Sequence, residues 1–256
     1  MLRDRAILVT GSTRGLGRSL IERCLELGAR TTVTGRAEAD VAAVVDELTS
    51  RFGPDRVLGY AGDLTQPSAI DALVRRALDR FGEINGVVAN LGSGRAQLGW
   101  AVGEEEWSRM MAINFHAARR LLESTMLHLQ AAKDASIVLI SSIASLQVLS
   151  APVPYTVAKA ALNAYAKALS IECASLGVRI NVVSPGNIFV EGGVWDERQR
   201  KDMGNVASML ERDVPMRRFA MPDEVAEVVA FLLSGRSTFM TGAQVVVDGG
   251  QTRRIV

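Results

Sequence analysis

Apolar positions in this chain alternate between two patterns. Short continuous runs rich in β-branched residues recur at 6–10, 30–34, 56–60, 86–90, 136–141, 178–184 and 243–248, each of the length of a strand buried on both faces. The segments between them carry apolar residues at three- and four-residue spacing, as in Leu16, Leu20, Ile21, Cys24 and Leu27, or Val41, Val44, Val45 and Leu48, which predicts amphipathic helices. Seven strands alternating with helices imply right-handed crossovers. The fold class predicted is α/β, one doubly wound domain over residues 1–256 with a seven-stranded parallel sheet and helices on both faces.

The rhythm breaks once, at 187–221, where about 35 residues separate the sixth strand from the last helix. Gly192, Gly193, Trp195, Met203, Met209 and Met216 lie there among many charges. An excursion of that length in a compact domain is usually functional, and a substrate lid is expected.

Composition narrows the partner. Lysine plus arginine is 29 against 28 acidic residues, so no charge excess points to nucleic acid or an anionic membrane, and a small molecule is expected instead. The 48% hydrophobic content suits a substantial core. Cys24 and Cys173 sit in helical patterns, and no cysteine or histidine pair has metal-ligand spacing, so no metal is expected. The N-terminus enters a strand almost at once, and no run approaches the roughly 18 apolar residues of a membrane span; a cytoplasmic protein is expected.

Directly after the first strand comes Thr10-Gly11-Ser12-Thr13-Arg14-Gly15-Leu16-Gly17, followed by a helix. Glycines there let the backbone approach a pyrophosphate, whose charge meets the helix N-terminus. Arg36 follows the second strand at Thr34-Gly35-Arg36, where an NAD-binding chain often has a carboxylate for the ribose hydroxyl. With Arg14 in the glycine loop, a ribose 2′-phosphate is the better match, so NADP(H) is the expected cofactor.

Tyr155 and Lys159 are four apart on a helix expected to start near Pro152 or Pro154, so they share a face. A nearby ammonium would favour the phenolate and make Tyr155 a usable proton-transfer group. Ser142 lies at the end of the fifth strand, where α/β sheets bind ligands. It is not in a G-x-S-x-G elbow, and His116 and His128 precede it in one helical run, which argues against a hydrolase.

Taken together these residues resemble the short-chain dehydrogenase/reductase family over essentially the whole chain, in particular its 3-oxoacyl-acyl-carrier-protein-reductase-like members. The matching positions are 10–17, Asp63-Leu64, Asn90, Asn114, Ser142, Tyr155, Lys159, Pro185-Gly186 and Asp248-Gly249-Gly250. The resemblance implies a Rossmann-type fold, a homodimer or homotetramer, and a catalytic tetrad of Asn114, Ser142, Tyr155 and Lys159. Tyr155 would move the proton, Ser142 would orient the substrate oxygen, and Lys159 would hold the nicotinamide ribose and lower the tyrosine pKa. Asn114 would hold a water leading to Lys159. Cofactor contacts would come from Gly11, Ser12, Thr13, Arg14, Gly15, Leu16, Gly17, Arg36, Asp63, Leu64, Asn90, Tyr155, Lys159, Pro185, Gly186 and Ile188.

The departures from the family pattern are Leu91, which thickens the wall beside the cofactor, Ser145 in place of a frequent glycine, expected to face the substrate, and Val190 in place of a threonine. Substrate walls are expected from Arg95, Trp100, Gln147 and Trp195 beside Leu146 and Phe189. Ile171 and Leu176 stand where carrier-protein-thioester reductases often have arginines, which lowers a fatty-acid role. The expected activity is NADP(H)-dependent interconversion of a ketone and a secondary alcohol; the alternative is a non-catalytic NAD(P)-binding regulator that keeps the fold.

Overall fold

The computed structural model describes residues 1–253. Its strands are β1 (Ala6–Val9), β2 (Arg30–Gly35), β3 (Val57–Ala61), β4 (Gly86–Ala89), β5 (Ser136–Ile140), β6 (Arg179–Pro185) and β7 (Gln244–Val247). All seven pair in parallel, in the order β3-β2-β1-β4-β5-β6-β7. Each predicted strand is present, displaced by at most one residue at its ends. The helices between them are α1 (Gly15–Glu26), α2 (Glu38–Phe52), α3 (Pro67–Phe81), α4 (Glu104–Met111), α5 (Ala117–Ala131), α6 (Val153–Ala174), α7 (Val194–Lys201), α8 (Met203–Asp213) and α9 (Pro222–Leu233).

Successive strand residues feed opposite sides of the sheet. In β5, Ile137 and Leu139 join one core cluster with α3, α5 and α6, whereas Val138 and Ile140 join a second with α1 and α9. This two-sided burial is why the strands read as unbroken apolar runs. The chain order reverses between β1 and β4, so their carboxyl ends diverge into a crevice where doubly wound sheets bind ligands.

Segment 187–221 is not the irregular excursion that its composition suggests. It carries α7 and α8, and the Asp202 carboxylate accepts from the Asn205 N–H at 3.0 Å to start the second helix. Its base is tied down where Ile188 bridges Ala220, and the Phe189 N–H donates to the Ala220 carbonyl at 2.9 Å. Among the described residues, no helix is long and apolar enough to cross a membrane.

Candidate functional site

The glycine loop is built by close approach. Gly11 and Gly15 hold φ of 65° and 55°, a region that only glycine enters freely. A Cβ on Gly17 would lie 2.0 Å from the Gly11 carbonyl oxygen, so α1 could not start against β1 with any larger residue there. At the start of α1, Arg14 occupies the cap position with no side-chain cap hydrogen bond, and no acidic residue sits in the first turn. The helix therefore presents its uncapped N–H groups to whatever enters the crevice, the arrangement a pyrophosphate needs.

Not every residue of the loop faces that space. The Gly11 N–H donates to Thr34 Oγ1 at 2.8 Å, and the Ser12 N–H donates to the Thr34 carbonyl at 2.9 Å. Ser12 is fully buried, with its hydroxyl directed to the Val9 and Thr32 carbonyls. This corrects the expectation of direct cofactor contact for Ser12: its polar atoms brace the loop against β2. Asn90 is a brace too, its Nδ2 donating to the Thr10 and Gly11 carbonyls at 3.0 Å each. Leu91 abuts Gly11.

Arg14 and Arg36 are both exposed, and neither makes an ion pair among the described residues. Arg36 stands close enough to Asp63 to help hold its carboxyl below the ordinary value, after the larger effect of the Thr65 N–H. Leu64 is buried in the core beside it. On the opposite rim, Gly186 closes β6 by donating its N–H to the Val247 carbonyl, and Val190 leans on Gly15, where a Cβ would meet its methyl at 2.9 Å. The base of 187–221 therefore reaches the glycine loop.

The four expected catalytic residues converge at the ends of β4 and β5. Lys159, 3% exposed, donates from Nζ to the Ile140 carbonyl at 2.8 Å, and its Nζ lies 6.0 Å from the centre of the Tyr155 ring. Burial lowers its pKa to about 8. Burial raises the Tyr155 phenol above its ordinary value, outweighing the opposite effect of the neighbouring Ser142 hydroxyl. Desolvation of the phenolate decides the direction, opposite to the lowering expected from Lys159. Asn114 lies in a π-helical turn (Ala112–His116) between α4 and α5 and is 1% exposed. Its Oδ1 accepts from the Ser93 N–H at 2.9 Å, and its Nδ2 donates to the Ser93 and Met110 carbonyls at 3.1 Å each. That side chain anchors the loop after β4 with both amide hydrogens engaged.

The walls also differ from expectation. Ser145 does not turn its hydroxyl to open space: it donates to the Ser142 carbonyl and accepts from Asn163 Nδ2 at 2.6 Å. Arg95 pairs with Glu197 of α7 at 2.6 Å and donates to the Gly192 carbonyl at 3.1 Å, closing one loop onto the other. Trp195 and Phe189 both pack on Phe219, at ring separations of 5.4 and 5.9 Å, and Trp100 is 90% exposed. Gln147 Oε1 accepts from the Arg253 N–H at 3.3 Å. Sequence reasoning missed Asn163 altogether, although 155, 159 and 163 form one i, i+4, i+8 stripe along α6.

A family model described as enoyl-(acyl carrier protein) reductase matches residues 11–252. The chain is a short-chain dehydrogenase/reductase. It is 32% identical over 251 residues to a subunit of the hydroxy(phenyl)methylsuccinyl-CoA dehydrogenase of Thauera aromatica, covering 98% of each chain. It is 31% identical to a 3-oxoacyl-(acyl-carrier-protein) reductase of Vibrio cholerae, covering 97% of this chain and 98% of that one. Among solved structures, L-sorbose reductase of Gluconobacter frateurii, complexed with NADPH and L-sorbose, superposes with a TM-score of 0.93 at 28% identity, over 99% of this chain and 98% of that one. As a member of this family, the chain is an oxidoreductase of the kind that interconverts carbonyl and alcohol groups with a nicotinamide dinucleotide.

Proposed function

We propose that the chain is an NADP(H)-dependent oxidoreductase that interconverts a ketone and a secondary alcohol, with Tyr155 as general acid and base. The observation that carries this reading is the convergence of Tyr155, Ser142 and the buried Lys159 at the carboxyl end of β5, beside an uncapped helix N-terminus built from glycines. When bound, the nicotinamide supplies or accepts the hydride. Gly15 and the first turn of α1 would hold the pyrophosphate, Arg14 and Arg36 the ribose phosphate, and Asp63 the adenine. Residues 187–221 would close over the substrate as a lid.

In the reductive direction the substrate oxygen accepts hydrogen bonds from the Tyr155 and Ser142 hydroxyls. These donors stabilise the negative charge that grows on oxygen in the transition state. Tyr155 Oη then gives up its proton to that oxygen. Burial of the phenol favours its protonated form, which suits an acid. Lys159, next to it and easily deprotonated for a lysine, holds the ribose and passes a proton back to the phenol. In oxidation the same groups work in reverse. NADPH bound by the L-sorbose reductase supports the cofactor choice for this chain, as do the two unpaired arginines. We also propose a homo-oligomeric, cytoplasmic enzyme, as suits small-molecule metabolism.

Fluorescence titration of NADPH and NADH in parallel, followed by a ketone screen with Tyr155→Phe as control, tests the proposal. Preferential NADPH binding and turnover reduced at least about a hundredfold in Tyr155→Phe are expected. Undiminished turnover in the variant overturns the role of Tyr155. Tight cofactor binding with no turnover across the screen favours the non-catalytic regulator instead.

A further inference from the structure

The stripe that Tyr155 and Lys159 begin on α6 continues one turn further to Asn163, and three consecutive residues at the end of β5 are fastened to it. The Ile140 carbonyl accepts from Lys159 Nζ at 2.8 Å. The Ser141 hydroxyl lies 3.4 Å from the Lys159 carbonyl and 3.3 Å from Ser145 Oγ. The Ser142 carbonyl accepts from both the N–H and the hydroxyl of Ser145, at 3.0 and 2.5 Å, while Asn163 Nδ2 donates to that hydroxyl at 2.6 Å.

The direction of these bonds is set by donor count. A serine hydroxyl has one proton, and the Asn163 amide nitrogen is a donor only. With Asn163 donating into its lone pair, Ser145 has to direct its own proton to the Ser142 carbonyl. The turn that carries Ser142 is therefore tied to the helix that carries Tyr155 by a side-chain relay, in addition to its backbone bonds. Ser142 Oγ itself accepts from the Ala144 N–H at 3.1 Å, so the same turn fixes the rotamer of its side chain.

We propose that Ser145 and Asn163 are positioning residues, a relay that holds the Ser142 hydroxyl in register with the Tyr155 phenol. This rests on the reading of Ser142 and Tyr155 as the proton-transfer pair. Neither relay residue touches the reacting atoms. Its action is confined to the geometry between a strand-end turn and one face of α6, where a small displacement of a hydrogen-bonded group has large effects on reactivity. A glycine at 145 could not form the relay, so this device belongs to chains that combine serine at 145 with a donor at 163.

A substrate-free test uses protein labelled with 13C at the tyrosine ring carbon bearing the hydroxyl. The chain has three tyrosines, and loss of one resonance in Tyr155→Phe assigns Tyr155. The polar groups beside the phenol are the Ser142 hydroxyl from the turn and Lys159 Nζ from its own helix, neither of which is altered in the test variants. In Ser145→Ala the bond from Ser142 weakens, and the Tyr155 resonance titrates with proton affinity raised about threefold to tenfold. Ser145→Thr, which keeps the hydroxyl, restores the original midpoint, and Asn163→Leu behaves as Ser145→Ala does. A purely structural role lowers the melting temperature of Ser145→Ala and leaves the Tyr155 midpoint in place, which overturns the proposal. Loss of turnover in Tyr155→Phe with an unchanged midpoint in Ser145→Ala rejects the relay alone. Full turnover in Tyr155→Phe rejects the pair on which it rests.

Discussion

Lys159 and Ile140 meet through a 2.8 Å hydrogen bond from a buried ammonium to a strand-end carbonyl, in surroundings that lower the lysine pKa to about 8. Unfolding returns that lysine to water, where it titrates near 10.5. Between those two values the unfolded chain binds more protons than the folded one, so this residue adds stability as the pH rises through that window. Wild-type protein therefore gains stability relative to Lys159→Met between about pH 8 and pH 10. Urea unfolding of both at pH 7.5, 9 and 10 checks this, since a constant difference would mean that Lys159 is not buried as a cation. The paired comparison is needed because Cys24, pushed up from 9.0 to about 12 by burial, withdraws stability above about pH 9 in both proteins.

Gly92 lies where a side chain would strike the site. Its Cβ would stand 2.9 Å from Asn114 Oδ1 and 3.1 Å from Lys159 Nζ, whereas nothing lies within 4 Å of the equivalent point on Gly94. Gly92→Ala is expected to reduce kcat at least about tenfold, or about 1.4 kcal/mol of barrier. Gly94→Ala should be close to wild type. Equal kcat values for the two variants would show that Lys159 and Asn114 adjust freely.

Arg36 should be worth a factor of about ten to a hundred in NADPH affinity, the range of a charge-assisted hydrogen bond to a phosphate, and almost nothing for NADH. Arg36→Ala titrated with both cofactors reads this directly. If both lose affinity equally, the guanidinium is acting on a group that the two share.

The pair Arg95–Glu197 joins the loop after β4 to helix α7 at 2.6 Å, with each side chain about half exposed. Exposed pairs contribute little and are screened by salt. Glu197→Gln should therefore speed NADPH release by only about two- to fivefold. The sharper signature is salt dependence: release should quicken with ionic strength more steeply in the wild type than in the variant. Stopped-flow displacement measures both, and identical salt profiles would dissociate this ion pair from lid closure.

Much of the architecture is legible in the sequence. Strand positions followed from apolar runs, because a parallel sheet covered on both faces leaves little room for polar side chains. The glycine loop and the pair Tyr155 and Lys159 followed from local spacing. What local spacing could not reach was the competition for polar atoms. Ser12 sits in the middle of the glycine loop, yet Thr34 and the Val9 carbonyl claim its hydrogen bonds from 22 and 3 residues away. Arg95 looked like a substrate contact until Glu197, 102 residues on, engaged it.

The distinction is one of range. The amino-acid sequence by itself determined the layered fold and the sharing of one helix face by Tyr155 and Lys159, since periodicity and i, i+4 spacing act over a few residues. Only the tertiary structure decided which way the polar groups lean: that the Tyr155 phenol is raised and not lowered, that Ser145 links the Ser142 carbonyl to Asn163, and that α7 is tied down by Arg95. These depend on desolvation and on donors and acceptors brought together from distant segments, and neither has a signature along the chain.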